Sequence, residues 1–239
     1  MERQIEILFE DNDLIVCHKM AGVAVQSKSY ANPDMESMLK NMLARREGAK
    51  KPVELYVIHR LDQPVEGIIV FAKSKKAAAS LSKQVQSDGG MNKTYKAVVL
   101  GEFPEVEKEG ELRNYLIKDS KNKCAVIVDA NNKDAKEAVL EYKVLETKKV
   151  LEDTVPISLV EIHLQTGRFH QIRAQLSNIS HPLIGDRRYF NENSSKLSQE
   201  LSVKNVALCA TSLTFKHPVS GKKMEFKVEP TGDIFKTMN

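Results

Sequence analysis

The amino-acid sequence predicts an α+β fold with a mixed, mostly antiparallel β-sheet and flanking helices. Segments with the alternation typical of strands outnumber segments with helical periodicity. Short turns of the hairpin type join most of the predicted strands, whereas the long crossovers of parallel sheets are few. No flexible linker divides the 239 residues, so we expect one domain spanning residues 1–239.

The first ninety or so residues alternate between short strands and helices. Gly67 to Ala72 is a continuous apolar run, which is typical of a strand buried on both faces. Apolar residues at helical spacing predict a helix over residues 33–46, with Asn32 as its N-cap and Pro33 in the first position. A second helix follows a Ser74 cap and ends at Gly89-Gly90. Further segments predicted here are strands at Ile5–Phe9, Asp13–His18 and Leu55–Ile58, and a loop and strand at Met20–Val25.

The remainder of the chain is richer in strands. The helix predicted from about Phe169 to Ile179 buries Ile172 and Leu176, and we expect residues 190–204 to form a polar loop. The strands predicted here are Lys93–Leu100, a β excursion within residues 102–135, an antiparallel pair at 136–147 and 157–164, and a final hairpin of Val206–Phe215 with Met224–Val228.

Composition and charge exclude several classes of protein. No apolar run approaches the ~20 residues needed to span a bilayer, and the N-terminus lacks the core of a signal peptide, so we expect a cytoplasmic protein. The three cysteines lie far apart in apolar surroundings and are best interpreted as buried hydrophobes. No metal-ligand spacing and no glycine-rich phosphate loop occurs, so we expect neither a metal nor a cofactor. A net charge of +4 permits nucleic-acid binding without requiring it.

Two motifs carry the residues suited to chemistry. The first is His59-Arg60-Leu61-Asp62, which lies on a loop beside a buried strand. The second is Thr166 to Arg173, followed by His181 to Asp186. A carboxylate partly removed from water keeps its charge only beside a cation or hydrogen-bond donors. Asp62 is therefore a candidate nucleophile or base, with Arg173 or Arg168 as its partner.

Three further residues each allow two interpretations. Arg60 either pairs with an acidic side chain or enters a nucleic-acid stack, because a planar guanidinium stacks on bases. Tyr95 is either a core aromatic residue or a stacking and proton-transfer group at a cleft. His170 is better explained as a hydrogen-bond partner than as a metal ligand.

The sequence resembles RNA pseudouridine synthases, the large family of enzymes with the His-Arg-Leu-Asp motif that modify uridines in ribosomal and transfer RNA. The resemblance covers most of the chain, and we expect no N-terminal S4-like domain of the kind that many members carry. It is carried by Ile7–Val16, His59–Asp62, Lys93–Ala97, Thr166–Arg173 and Gly185–Tyr189.

The resemblance implies a role for each matched residue. Asp62 would be the catalytic aspartate, Tyr95 would stack on the flipped uracil, and Arg173 would pair with Asp62. RNA would bind in a central cleft, and Arg60 would displace the target base from its stack. The RNA contacts are expected from Arg60, His59, Lys73, Arg168, His170 and Gln171. Isomerisation needs no cosubstrate, and we expect a monomer whose partner is rRNA or tRNA.

The chain departs from the pattern of the family at several positions. Gln63-Pro64-Val65-Glu66 replaces a threonine-serine-glycine run, and Phe190 replaces a glycine. Two other classes of function remain as alternatives. A non-catalytic RNA-binding paralogue would not need the intact Asp62, and a metal-dependent nuclease would need more carboxylates than these motifs supply.

Overall fold

A computed structural model describes residues 5–27, 34–48, 53–86 and 90–238. The strands within these residues are β1 (Glu6–Glu10), β2 (Leu14–Lys19), β3 (Tyr56–Val57), β4 (Glu66–Ala72), β5 (Met91–Leu100), β6 (Glu109–Asp119), β7 (Cys124–Val128), β8 (Lys136–Val150), β9 (Val155–Leu164), β10 (Leu208–Lys216) and β11 (Lys223–Lys227). The α-helices are α1 (Met35–Glu47), α2 (Lys75–Gln86), α3 (Gln171–Asn178), α4 (Glu192–Glu200) and α5 (Asp233–Lys236).

These elements form two compact units that interleave in the sequence. The first comprises Met1–Lys93 and Ala210–Glu229, and the second comprises Thr94–Cys209 and Pro230–Asn239. Antiparallel pairing joins β1 to β2, β2 to β4 and β10 to β11 in the first unit, and β9 to β8 and β8 to β6 in the second. The predicted α+β class is confirmed.

In the first unit, the strand order β1-β2-β4-β10 places β2 and β4 in the interior of a sheet. Every residue of these two strands is buried. Because successive side chains of a strand point to opposite faces, the two strands supply two cores. Ile15 and Phe71 pack with Leu39 of α1 on one face, while Val16 and Val70 pack with Leu81 of α2 on the other, where each pair lies in one cluster.

In the second unit, the strand order is β5-β9-β8-β6-β7. Tyr95 lies opposite Ile162 in the β5–β9 register. Helix α3 packs against this sheet through Ala174, which lies in one cluster with Leu116 of β6 and Ala125 of β7. Among the described helices, none combines the length and the apolar character needed to cross a membrane.

Several predicted boundaries are wrong. Helix α1 begins at Met35, and Asp34 is its N-cap, with its carboxylate accepting a hydrogen bond from the Ser37 N–H at 2.8 Å. The predicted cap, Asn32-Pro33, lies outside the described residues, as does Gly89 at the end of α2. Residues 20–25 contain turns instead of the predicted strand.

The second unit also differs from expectation at two helices. The predicted polar loop at 190–204 contains α4, whose N-cap Asn191 accepts a hydrogen bond from the Ser194 N–H while the Ser194 hydroxyl accepts one from the Asn191 N–H. Helix α3 begins at Gln171, two residues later than predicted, because His170 has a left-handed backbone with φ of 52°.

Cys17 and Cys209 are buried as predicted, whereas Cys124 is half-buried.

Candidate active site

Asp62 lies on the loop between β3 and β4 of the first unit. Its side chain is half-buried, whereas the neighbouring Arg60 is exposed and Leu61 is buried in the protein. The Val65 N–H donates to the Asp62 carbonyl at 3.0 Å and closes a turn directly after the motif. The buried Leu61 therefore anchors the loop, and the loop presents the carboxylate of Asp62 and the guanidinium of Arg60.

Lys19, at the end of β2, holds this loop from within the protein. Only 1 % of its surface is exposed, and its ammonium donates to the carbonyl oxygens of Met20 at 3.2 Å and Gln63 at 3.1 Å. The Gln63 carbonyl also accepts from the Gly22 N–H at 2.8 Å, and the Gln63 side chain donates to the Gly22 carbonyl at 3.2 Å. These bonds fix the residue that follows Asp62.

The charge of Lys19 also bears on Asp62. Burial lowers the pKa of Lys19 to about 8, although the negative charges of Asp62 and Glu66 oppose this shift. At neutral pH the ammonium is therefore still charged, and it interacts electrostatically with Asp62. Sequence reasoning assigned no role to Lys19, although it lies three residues after Ile7–Val16, the N-terminal segment that carries the resemblance.

A buried histidine stands beside Lys19 on the same strand. His18 binds Glu6 through Nδ1 at 2.8 Å and Glu66 through Nε2 at 2.9 Å. Burial lowers the pKa of His18, but hydrogen bonds and charge from Glu66 and Glu6 outweigh burial and raise the pKa above its ordinary value. The imidazolium form suits this arrangement, because both ring nitrogens can then donate to carboxylates.

His59, the first residue of the motif, is buried. Its Nε2 accepts the Val70 N–H at 3.4 Å, and its Nδ1 has no hydrogen-bond partner among the described residues. Burial, assisted by the charge of Lys93, holds the pKa of His59 well below its ordinary value. Burial also lowers the pKa of Lys93 to about 8. His59 is therefore a neutral support beneath the loop.

Lys73, a predicted RNA contact, is engaged within the protein. Its ammonium binds Glu10 at 3.1 Å and the Asp11 carbonyl at 2.8 Å, and 16 % of its side chain is exposed. These contacts favour a structural role for Lys73.

Asp11, Asp13 and His217 lie near this position, with donor atoms within 4.8 Å of one another. His217 donates from Nε2 to Asp11 at 2.8 Å, and its Nδ1 accepts the N–H groups of Val219 and Ser220. Because both ring nitrogens are occupied by these hydrogen bonds, the group is best explained as a hydrogen-bonded cluster that fastens a turn.

Arg173 of α3 lies in the second unit and forms a buried ion pair. Its Nε donates to Oδ2 of Asp186 at 2.7 Å and its Nη2 donates to Oδ1 at 2.8 Å, with side-chain exposures of 4 % and 0 %. Burial alone would raise the pKa of Asp186, but Arg173 and the N–H groups of Arg188 and Tyr189 lower it below its ordinary value. Sequence reasoning assigned no role to Asp186; the predicted pairing of Arg173 with Asp62 stays a prediction.

Tyr189 connects several residues of the second motif. Its hydroxyl binds Nδ1 of His170 at 2.9 Å and accepts the Ala125 N–H. The Arg173 guanidinium carbon lies 5.2 Å from the centroid of the Tyr189 ring, which is a cation–π contact. Burial raises the pKa of Tyr189 to about 12, so the phenol stays protonated at neutral pH. Tyr189 therefore fixes Arg173 and His170 in one arrangement.

The remaining predicted site residues of the second unit differ in how exposed they are to solvent. Gln171 is buried, where its Oε1 accepts the Arg168 N–H at 2.9 Å and its Nε2 donates to the Val139 carbonyl at 3.1 Å. Arg168 is exposed and donates from Nε to the Glu137 carbonyl at 2.8 Å. Tyr95, on β5, is 6 % exposed. Arg168 is thus the residue of this group that is best placed to meet an external anion.

Comparisons with known proteins identify the relatives of this chain. The family model described as RNA pseudouridylate synthase matches residues 13–178. The ribosomal large subunit pseudouridine synthase D of Zymomonas mobilis is 33% identical over 236 residues, which cover 96% of this chain and 70% of that protein. The tRNA pseudouridine synthase C of Vibrio vulnificus is 29% identical over 231 residues, covering 94% and 90%.

A solved structure supports the fold. Human RNA pseudouridylate synthase domain containing 4 superposes with a TM-score of 0.73 at 22% identity, covering 95% of this chain and 89% of that chain. The family model and the named relatives define an enzyme of the isomerase class. The chain belongs to the RNA pseudouridylate synthase family.

Proposed function

We propose that this protein converts uridine in rRNA or tRNA to pseudouridine, with Asp62 as the catalytic carboxylate. The bond between C1′ of the ribose and N1 of the uracil breaks, and the base rotates so that a bond forms between C1′ and C5. N1 gains a proton and C5 loses one, so the product is an isomer of the substrate. The observation that carries this proposal is the half-buried Asp62 on a rigidly held loop of a chain with the family's motifs.

Asp62 acts in its ionised form, either by attacking C1′ or by removing a proton from C2′. Lys19 supports this site, because its buried ammonium interacts electrostatically with Asp62 and binds the next residue of the loop. Arg173 is the second cation of the proposed site, and Asp186 and Tyr189 fix its orientation. Tyr95 supplies a ring on which the uracil stacks.

The target nucleotide leaves its stack to reach Asp62, at a cost of roughly a few kcal/mol. Arg60, which is exposed beside Asp62, takes the place of the base, and Arg168 binds phosphate. His59, Lys73 and Gln171 support these contacts from within, since their polar groups bind other parts of the protein. We expect the enzyme to work as a monomer in the cytoplasm without a cofactor.

The test uses purified protein and RNA from cells that lack this gene. Ribosomal and transfer RNA are incubated separately, and pseudouridine is quantified by nucleoside chromatography after complete digestion. The expected result is a rise in pseudouridine, matched by an equal loss of uridine, in one fraction. RNA binding without a rise would favour the non-catalytic paralogue, and strand scission would favour the nuclease.

A further inference from the structure

A groove of about 470 Å³ lies in the second unit, beside the Arg173–Asp186 pair. One wall is lined by Gly185, Asp186, Arg187 and Phe190, and the other is lined by the C-terminal part of α4 with residues 202–204. Asp186 lines the groove and binds Arg173, so the groove directly adjoins the proposed active-site arginine. None of the residues assigned a role in the reaction supplies its walls apart from Asp186.

Local sequence brings the two walls together. Gly185 has a φ of +77°, and a Cβ at this position would lie 2.1 Å from the Asn205 carbonyl oxygen. Only glycine allows this approach. The Gly185 N–H also donates to the Ser198 hydroxyl at 2.8 Å, which ties the first wall to α4. Arg187 and Lys204 consequently line the same groove from opposite walls.

The groove is cationic. Arg187 and Lys204 are exposed, and neither has an acidic partner among the described residues. The carboxylate that lines the groove, Asp186, is already neutralised by Arg173. Glu200, at the end of α4, is 3.9 Å from Lys196. Two cations that face a shared space attract an anion such as phosphate.

The groove also carries an exposed aromatic ring. Phe190 is 53 % exposed, so its ring is available for contact with a partner. Gln199 and Ser202 add amide and hydroxyl groups along the same lining. A ring for stacking, cations for phosphate and small polar groups for base edges are the features by which proteins bind single-stranded nucleic acid.

We propose that this groove binds a nucleotide of the substrate RNA other than the target uridine, with its base on Phe190 and its phosphate between Arg187 and Lys204. The inference rests on the proposed function, because it takes RNA as the substrate. The groove then contributes affinity and helps to choose which uridine is presented. The chemical step does not depend on it.

The experiment measures binding of a fluorescein-labelled oligouridylate of about 12 nucleotides by fluorescence anisotropy. Phe190→Ala should weaken binding about fivefold or more, as expected for one lost stacking contact, and Phe190→Tyr should retain most of the affinity. Arg187→Ala combined with Lys204→Ala should reduce the slope of log affinity against log salt by about 0.7, because the two cations share one phosphate contact.

Matched controls are Val219→Ala, an exposed apolar residue at 54 %, and Lys236→Ala, a lysine that pairs with Asp233 at 2.7 Å. Both should bind like the parent. An RNA that carries 4-thiouridine should crosslink to the peptide containing Phe190 in the unaltered protein, which makes the test independent of any folding defect in a variant.

Three results would overturn the inference. These are parental affinity in Phe190→Ala, crosslinks that avoid this peptide, and an unaltered protein that does not bind the oligonucleotide at low salt. Saturable binding of uridine monophosphate alone, with no competition by the oligonucleotide, would identify a small-molecule site instead. Failure of the proposed function has a different signature, which is the absence of pseudouridine in RNA incubated with the unaltered protein.

Discussion

Replacing Asp186 by alanine should destabilise the protein severely and also abolish turnover. The change removes both carboxylate oxygens that bind Arg173, at 2.7 Å and 2.8 Å, from a site where both side chains are almost completely buried. Removing one partner of a buried ion pair costs about 3–5 kcal/mol, because the remaining charge lacks compensation. Asp186 Oδ1 also accepts the Arg188 and Tyr189 N–H groups at 2.8 Å and 3.2 Å, so the loss should fall in the upper part of this range.

Urea denaturation followed by circular dichroism measures the change in the free energy of unfolding. A second variant, Asp186→Asn, keeps the volume and one acceptor oxygen, and it should lose less stability while turnover still falls. Asp233→Asn is the control, because its side chain is 96% exposed. A loss below about 1 kcal/mol in Asp186→Ala would refute the argument that a buried carboxylate fixes Arg173.

Three other predictions address pH, metals and RNA. The pKa of His18 is raised in the folded protein, so its charged form stabilises the fold. This stabilisation is complete below the unfolded pKa of the histidine and is lost as pH rises through the folded pKa. Glu66→Gln should therefore destabilise the protein more at about pH 6 than at about pH 9. Equal destabilisation at both pH values would contradict this linkage. Activity should persist in excess EDTA, since the motifs contain no metal-ligand pattern; a loss reversed by one divalent ion would be inconsistent with the proposed chemistry. Arg168→Ala should weaken RNA binding and reduce the salt slope by about 0.7 while leaving turnover at saturating RNA near that of the parent, and a large fall in turnover would show a different role.

The sequence was sufficient to predict the parts of the fold that local patterns encode. The continuous apolar run at Gly67–Ala72 predicts a strand that is buried on both faces. The alternation of apolar and polar residues along β5 predicts a strand that is buried on one face. Helix α4 has no such hydrophobic pattern, since its sequence is polar and only Ser194 and Leu197 are buried. Its start is encoded by the capping box of Asn191 with Ser194, a local signal that was overlooked.

The candidate site was predictable only where a motif marked it. Asp62 and Arg173 stand out because charged residues interrupt apolar segments in a recognisable pattern. Asp186 was not recognised as a partner of Arg173, because 13 positions separate them and only the turn after α3 brings the two side chains together. Lys19 was missed for a related reason, since burial of a lysine depends on carbonyl groups that a distant loop supplies.

The central claim is that the Asp62 carboxylate performs the reaction, and the Asp62→Asn variant tests it most directly. The substitution keeps the volume of the side chain and removes its charge, so the variant should fold and bind RNA like the parent. Pseudouridine formation is measured in single-turnover reactions with excess enzyme on RNA from cells that lack this gene. The account predicts no detectable pseudouridine with RNA affinity within about twofold of the parent, a difference of about 0.4 kcal/mol. Turnover close to that of the parent would contradict it.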